Sequence, residues 1–154
     1  MQVQSILGAL FALGFSLSLQ AAPGELVINK NAKPKSSNSY IEAVHKEIPV
    51  AGASEAQVRY AILEGMLSTK GFAWVYEGEG EGYILARFDY RGDTDTNVMR
   101  IEYDANYIQL KYRAALGDFV CKKLIDDICY KNGRGYYNYI KNLRLSIAQE
   151  LKKS

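Results

Sequence analysis

The chain has 154 residues, of which 48% are hydrophobic and 23% are charged, so it holds enough apolar material for the core of one domain. Its net charge is +2, and its 19 basic and 17 acidic residues are mixed along the sequence. Nucleic-acid-binding proteins usually carry a basic stripe, so this distribution argues against nucleic acid as a partner.

An apolar run from Ile6 to Leu19 lies near the N-terminus and is followed by the small residues Ala21 and Ala22. The run is too short to span a bilayer, which takes roughly 20 apolar residues, and its features are typical of a secretory signal peptide. We therefore predict a signal peptide over residues 1–21 and a periplasmic or secreted location. Because no cysteine stands at the cleavage point, we expect no stable membrane anchor.

Residues 22–53 are rich in Pro, Asn and Ser and contain the basic stretch KNAKPK. This composition is typical of flexible N-terminal linkers, so we predict a linker here and a single folded domain over residues 54–154. The basic stretch is interpreted as a solvated tether rather than as a site for a polyanion.

The domain is predicted to begin with a helix at the stretch SEAQ, where Ser54 and Gln57 have the spacing of a capping box. Apolar or small residues recur at helical spacing from Val58 to Met66. Gly71 suits the left-handed residue that often follows a helix, so we expect the helix to end before it.

After this glycine the hydrophobic pattern changes to strand-like alternation in the stretches FAWVYE, YILARFDY, NVMRIEY and YIQLKYR. The stretches that separate them, GEGEG, RGDTDT and DAN, have turn chemistry. The glycines of GEGEG lie between two strands, and their glutamates would repel phosphate, so we predict a hairpin turn rather than a phosphate-binding loop. Four strands with short connections predict an antiparallel meander with one apolar face.

A last helix is predicted from Gly135 to Leu151 because apolar residues recur there at helical spacing. The predicted fold is therefore an α+β domain in the order helix, four-stranded antiparallel meander, helix, with both helices packed on one face of the sheet. The stretch CKKLIDDIC before the last helix is expected to be a short helical turn or a clipped loop.

Cys121 and Cys129 are the only cysteines in the chain. Two cysteines in an exported protein predict one disulfide bond. A redox-active thiol pair usually has the tighter spacing C-x-x-C, so we expect this pair to have a structural role.

Four groups of residues form a pattern along the chain. They are Gln57, Val58, Arg59, Ala61 and Ile62, then Gly82, Ile84 and Ala86, then Ile101, Tyr103 and Asp104, then Tyr137, Asn138, Tyr139 and Ile140. With these positions the chain resembles a family of small exported bacterial proteins, many of them lipoproteins, of uncharacterised function. The resemblance covers about two-thirds of the chain and is carried by core and turn positions, so it implies a fold rather than an activity. This sequence departs from the family in lacking a lipobox cysteine, in having Tyr139 where tryptophan is common, and in its cysteine pair.

The residues available for catalysis or metal binding are few. His45 is the only histidine, and it lies in a polar segment that we expect at the periphery of the domain. Asp93, Asp95 and Asn97 copy the start of a calcium-binding loop, but Val98 stands where that loop needs glycine. We therefore predict no catalytic residue, no cofactor and no metal site, and we interpret the aspartates as a turn.

Strand alternation places one tyrosine and four basic residues on the sheet face that points away from the helices. Tyrosine rings and arginine donors are suited to an anionic or glycan partner, so this face is the predicted binding site, with cross-strand charge pairing as the alternative. The predicted site residues are Tyr83, Arg87, Arg100, Lys111 and Arg113.

The sequence favours an exported, non-catalytic binding protein of the bacterial envelope or exterior, with an envelope or extracellular partner. One alternative is a small hydrolase-like enzyme that uses His45 or a weakly bound metal. Another alternative is a structural or inhibitor-like module that binds a partner protein.

Overall fold

The computed structural model describes residues 23–92 and 94–154, and the predicted signal peptide over 1–21 lies outside them. Within these ranges no helix is both long enough and apolar enough to cross a membrane. Short 3₁₀ turns lie at Lys30–Ala32 and Gly117–Phe119. The described helices and strands are α1 (Asn38–His45), β1 (Ile48–Pro49), α2 (Glu55–Leu67), β2 (Val75–Gly80), β3 (Tyr83–Tyr90), β4 (Asp95–Tyr103), β5 (Tyr107–Ala115), β6 (Lys123–Ile125), β7 (Ile128–Lys131) and α3 (Arg134–Leu151).

The predicted α+β class is confirmed, but the main sheet is larger than the predicted meander. Strands β2 to β5 form consecutive antiparallel pairs, and the fifth strand, β1, pairs with β5 through Ile48 and Ile108. The sequence did not place these residues in the sheet because two residues are too few to show alternation. The predicted hairpin between β2 and β3 is present, with Gly82 at φ 72° in its turn.

One hydrophobic core joins the apolar sheet face to the helices. Ile84 and Ile101 are fully buried on the sheet, and they belong to the same cluster as Ile147 of α3. Helices α2 and α3 approach closely at Gly65, where an added Cβ would lie 2.7 Å from the Cα atom of Ile147. The predicted capping box is also present, since the hydroxyl of Ser54 accepts a hydrogen bond from the backbone N–H of Gln57.

The prediction of a flexible linker over 22–53 is wrong for the part that the structure describes. This segment contains α1 and β1, and Ile41 and Val44 of α1 are fully buried in the core. Arg144 of α3 holds the end of α1 by donating hydrogen bonds to the carbonyls of Lys46 and Glu47. The polar composition misled the prediction because so few apolar residues in a short helix give a weak periodic signal.

The stretch between the two cysteines forms the hairpin β6–β7, rather than the expected helical turn or clipped loop. The predicted disulfide is present, with a Cys121–Cys129 S–S distance of 2.03 Å. It joins Cys121, which precedes β6, to Cys129 within β7, and the Cys129 side chain is fully buried.

We expect reduction of the disulfide to lower the free energy of unfolding by about 2–3 kcal/mol, because the cross-link restricts a short loop in the unfolded chain. The measurement is urea unfolding with and without dithiothreitol. A double variant, Cys121→Ala with Cys129→Ala, serves as the control because it should not respond to the reductant. Equal stability of the oxidised and reduced wild-type protein would contradict the structural role of the bond.

Candidate functional site

Three of the five predicted site residues come together around one buried carboxylate on the outer sheet face. The Nε atom of Arg100 lies 2.9 Å from Glu102, and the ammonium group of Lys111 pairs with the other carboxylate oxygen. The guanidinium carbon of Arg100 also lies 3.7 Å from the ring centroid of Tyr83. Both cations are therefore engaged by Glu102, and loss of either one would leave a buried carboxylate with poorer compensation.

The other two predicted residues lie apart from this cluster. Arg87 forms ion pairs with Glu77 and Asp89, which neutralise its charge within the sheet surface. Arg113 lies at the irregularity between β4 and β5, and its side chain is exposed. It forms no ion pair with another residue of the described ranges. The outer face thus carries ion pairs both within and between strands, and these reduce its attraction for an anionic partner.

His45 is fully buried, contrary to the expected peripheral position. Its Nδ1 atom lies 2.8 Å from the carbonyl oxygen of Leu110, and its Nε2 atom lies 3.2 Å from the backbone nitrogen of Cys129. A carbonyl can only accept and an N–H can only donate, so the ring is neutral with its hydrogen on Nδ1. Burial lowers the pKa of His45 from 6.5 to about 4, against a smaller opposite effect of the Leu110 carbonyl.

The position of His45 explains its burial. The edge of β5 pairs with β1 at Ile108, and further along the Tyr112 N–H donates to the carbonyl of Asp127 beside β7. Between these two contacts, the imidazole bonds to the Leu110 carbonyl on the β5 edge and to the Cys129 N–H of the disulfide hairpin. Because both ring nitrogens are engaged inside the protein, this histidine has no nitrogen directed at a substrate.

In the pattern Asp93, Asp95 and Asn97 at the start of β4, Asp95 has a structural role. The carboxylate of Asp95 accepts a hydrogen bond of 2.8 Å from the backbone N–H of Asp118 and so fixes the 3₁₀ turn Gly117–Phe119. Asn97 points into the protein and is buried, while Asp93 lies outside the described residues. In the part of the chain that the structure describes, no three His, Cys, Asp or Glu residues are grouped to hold a metal.

A cleft with a volume of about 400 Å³ opens at the end of the sheet where α3 begins. This size lies within the range of small-molecule sites. Five parts of the chain form its walls: the end of β3 with its following turn, the start of β4 at Asp95, the 3₁₀ turn after β5, the residues that flank the hairpin β6–β7, and the first turns of α3. We call it the tyrosine cleft, and its characteristic lining residues are Tyr90, Arg91, Asp118, Phe119, Lys122 and Tyr139.

Aromatic rings form one wall of the tyrosine cleft. The ring centroids of Tyr90 and Tyr139 are 5.5 Å apart, and Phe119 meets Tyr139 edge-on at 5.9 Å. Desolvation raises the pKa of Tyr139 above its usual value, and Tyr90 adds to this effect. The wall therefore offers a ring surface with neutral hydroxyl groups, which suits a ligand that is part apolar and part polar.

Charged groups of both signs stand at the rim of the cleft. Arg91, Asp118 and Lys122 are exposed, and none of them forms an ion pair within residues 23–92 and 94–154. Asn132, by contrast, is committed, because its amide donates to the carbonyl of Phe119 and accepts from the N–H of Gly133. The guanidinium carbon of Arg91 lies 5.1 Å from the ring centroid of Tyr90, so Arg91 stands beside the aromatic wall. Asp118 and Lys122 are the other rim charges that a ligand can reach.

The tyrosine cleft was not predicted from the sequence. Its lining residues are spread from Tyr90 to Tyr139, and only the fold brings them together. The high tyrosine content, 12 residues, was the one sequence signal that pointed in this direction.

Comparison with protein-family models, curated proteins and solved structures finds no match for this chain. The tyrosine cleft and the contacts described above are therefore the basis for any functional assignment.

Proposed function

We propose that this protein is an exported, non-catalytic binding protein of the bacterial envelope or exterior, and that it binds an acidic glycan in the tyrosine cleft. The single observation that carries the proposal is the combination, in one cleft, of tyrosine rings with charged groups that form no ion pair in the described ranges. Membership in the family of small exported bacterial proteins that the sequence resembles is part of the same proposal, as is a periplasmic or secreted location.

The aromatic wall supports a sugar ring as the ligand. Sugars present C–H groups on one face and hydroxyls at their edge, so they can cover the paired rings of Tyr90 and Tyr139 while they bond to polar groups nearby. The carboxylate of Asp118 at the rim can accept hydrogen bonds from sugar hydroxyls.

The cations and the start of α3 support an acidic group on that sugar. Arg91 and Lys122 are two rim cations with no ion pair in the described part of the chain. Helix α3 begins after Gly133, which provides no side-chain cap, and its first turn contains no acidic residue. The partial positive charge of this helix end therefore adds to the attraction for a carboxylate.

We expect a uronic-acid oligosaccharide to bind, and its carboxyl-reduced, neutral counterpart to bind more weakly, in isothermal titration calorimetry. Arg91→Gln and Lys122→Gln should each lower the affinity by about tenfold, because a hydrogen bond to a charged group contributes about 1.5–3 kcal/mol. Gln keeps much of the side-chain length and removes the charge.

The matched control is Arg113→Gln, which removes one exposed positive charge from the outer sheet face. It should leave the affinity unchanged at low and at high salt. If Arg113→Gln weakens binding and the two cleft variants do not, the ligand binds to the outer face, as the sequence predicted. If neither oligosaccharide binds, the proposed ligand class is wrong.

The enzyme alternative receives no support from His45, because both of its ring nitrogens are bonded inside the fold. The protein-partner alternative has support of a different kind, since a second surface of the molecule is apolar and exposed.

A further inference from the structure

Large apolar side chains are exposed along α2 and the start of β2. Tyr60 is 63% exposed and Leu67 is 67% exposed, and Phe72, Val75 and Tyr76 are each about half exposed. Exposed apolar side chains that are grouped in this way mark interaction sites more often than isolated ones do. Three of these side chains, those of Tyr60, Leu67 and Tyr76, line a groove between α2 and β2.

This groove, which we call the α2–β2 groove, has a volume of about 320 Å³. Its walls include Tyr60, Leu63, Leu67, Trp74 and Tyr76, with Glu64 at its margin. It is preformed, because the Trp74 N–H donates to the Met66 carbonyl at 2.9 Å and so ties the start of β2 to the end of α2.

A second contact fixes β2 against α2. Arg59 of α2 binds Glu79 of β2 through two hydrogen bonds of 2.9 Å each. β2 is the last strand of the five-stranded sheet, so one of its edges pairs with no strand of the described ranges. An extended segment beside β2 would complete backbone hydrogen bonds along that edge and could direct alternate side chains into the groove.

The charges around the groove select between possible occupants. Between residues 54 and 81 there are five carboxylates and two cations, Arg59 and Lys70. Arg59 pairs with Glu79 and Arg87 pairs with Glu77, so the carboxylates of this segment that form no ion pair in the described ranges are those of Glu55, Glu64 and Glu81. Two copies of this protein paired edge to edge would bring carboxylates together, and like charges directly opposite destabilise strand pairing. A cationic segment of another protein has the complementary charge.

We propose that the edge of β2 and the α2–β2 groove bind an extended, cationic segment of a partner protein in which apolar and basic residues alternate. The segment adds a strand beside β2, its apolar side chains enter the groove, and its basic side chains meet the glutamates. This activity is separate from glycan binding, because the groove shares no lining residue with the tyrosine cleft.

The probe is a synthetic peptide that alternates leucine and lysine, and its binding is measured by fluorescence anisotropy. Leu67→Ser should weaken binding at least about tenfold, since one fully buried leucine contributes about 1.5–3 kcal/mol. The matched control is Leu145→Ser, because Leu145 is 44% exposed on α3 and is not part of the groove lining. Both variants remove an exposed leucine, so a loss of folding is not expected for either.

Two further peptides test the strand geometry and the charge. Residues of a strand direct their N–H groups alternately to its two edges, so N-methylation of only the leucines or only the lysines blocks one edge. One of the two methylated peptides should lose binding and the other should keep it, whereas equal effects would overturn strand addition. Replacing the lysines with glutamates should abolish binding. Binding that survives this replacement, or a dimer in sedimentation equilibrium that Leu67→Ser dissociates, would overturn the cationic partner.

Discussion

Replacing His45 with alanine is expected to lower the free energy of unfolding by about 4 kcal/mol. The substitution removes a fully buried ring and leaves the Leu110 carbonyl and the Cys129 N–H without their partner. Each buried polar group that loses its hydrogen bond costs about 1–3 kcal/mol, and the cavity adds to this cost. Urea unfolding followed by circular dichroism measures the change, and the melting temperature should fall by about 10 °C or more.

The control for this substitution is Glu42→Ala, an exposed position on the same helix α1. Its effect should stay within about 0.5 kcal/mol, as is usual for surface positions. A His45→Ala protein as stable as the wild type would contradict the structural role of the imidazole. Loss of a biological activity with unchanged stability would instead support the enzyme alternative.

Stability is expected to fall as the pH is lowered from about 6.5 to about 4, by about 3 kcal/mol in total. In this window His45 becomes protonated in the unfolded chain, where its pKa is the ordinary 6.5. In the folded protein the ring stays neutral, because burial lowers its pKa to about 4. Protonation therefore favours the unfolded state. The contribution is fully present above pH 6.5 and is lost progressively towards pH 4.

The measurement is the free energy of unfolding between about pH 7 and pH 5, where carboxylates titrate little and about 2 kcal/mol of the loss should be visible. His45 is the only histidine, so no other imidazole contributes. His45→Gln, which cannot titrate, should be less stable than the wild type but nearly independent of pH in this range. A wild-type protein with constant stability over the range would show that His45 titrates normally.

His45 and the disulfide support the same hairpin, and the hairpin borders the tyrosine cleft. Cys129 forms the disulfide, and its backbone N–H donates a hydrogen bond to His45. Lys122 and Asn132, which flank the hairpin, line the cleft. A structural change at His45 is therefore expected to alter the position of Lys122 in the proposed glycan site.

Long periodic segments were predicted well from the sequence because their information is local. The helix after Ser54 has a capping box and an apolar stripe, and the four strands from FAWVYE to YIQLKYR alternate clearly, so both appeared in the expected order. The disulfide was likewise predicted from the even number of cysteines together with the predicted export, and the structure contains the bond.

Short elements and contacts between distant residues were decided only by the tertiary structure. α1 and β1 are too short to show a period, and they form because the core accepts Ile41 and the β5 edge accepts Ile48. The local sequence says even less about the role of a polar side chain, because that role depends on which hydrogen-bonding or charged group the fold places beside it. The sequence by itself determined the α+β class, the hairpin between β2 and β3, and the disulfide. The fold decided that His45 is structural, that Arg100 and Lys111 share the carboxylate of Glu102, and that the tyrosines form a cleft, because these arrangements depend on which residues meet in space.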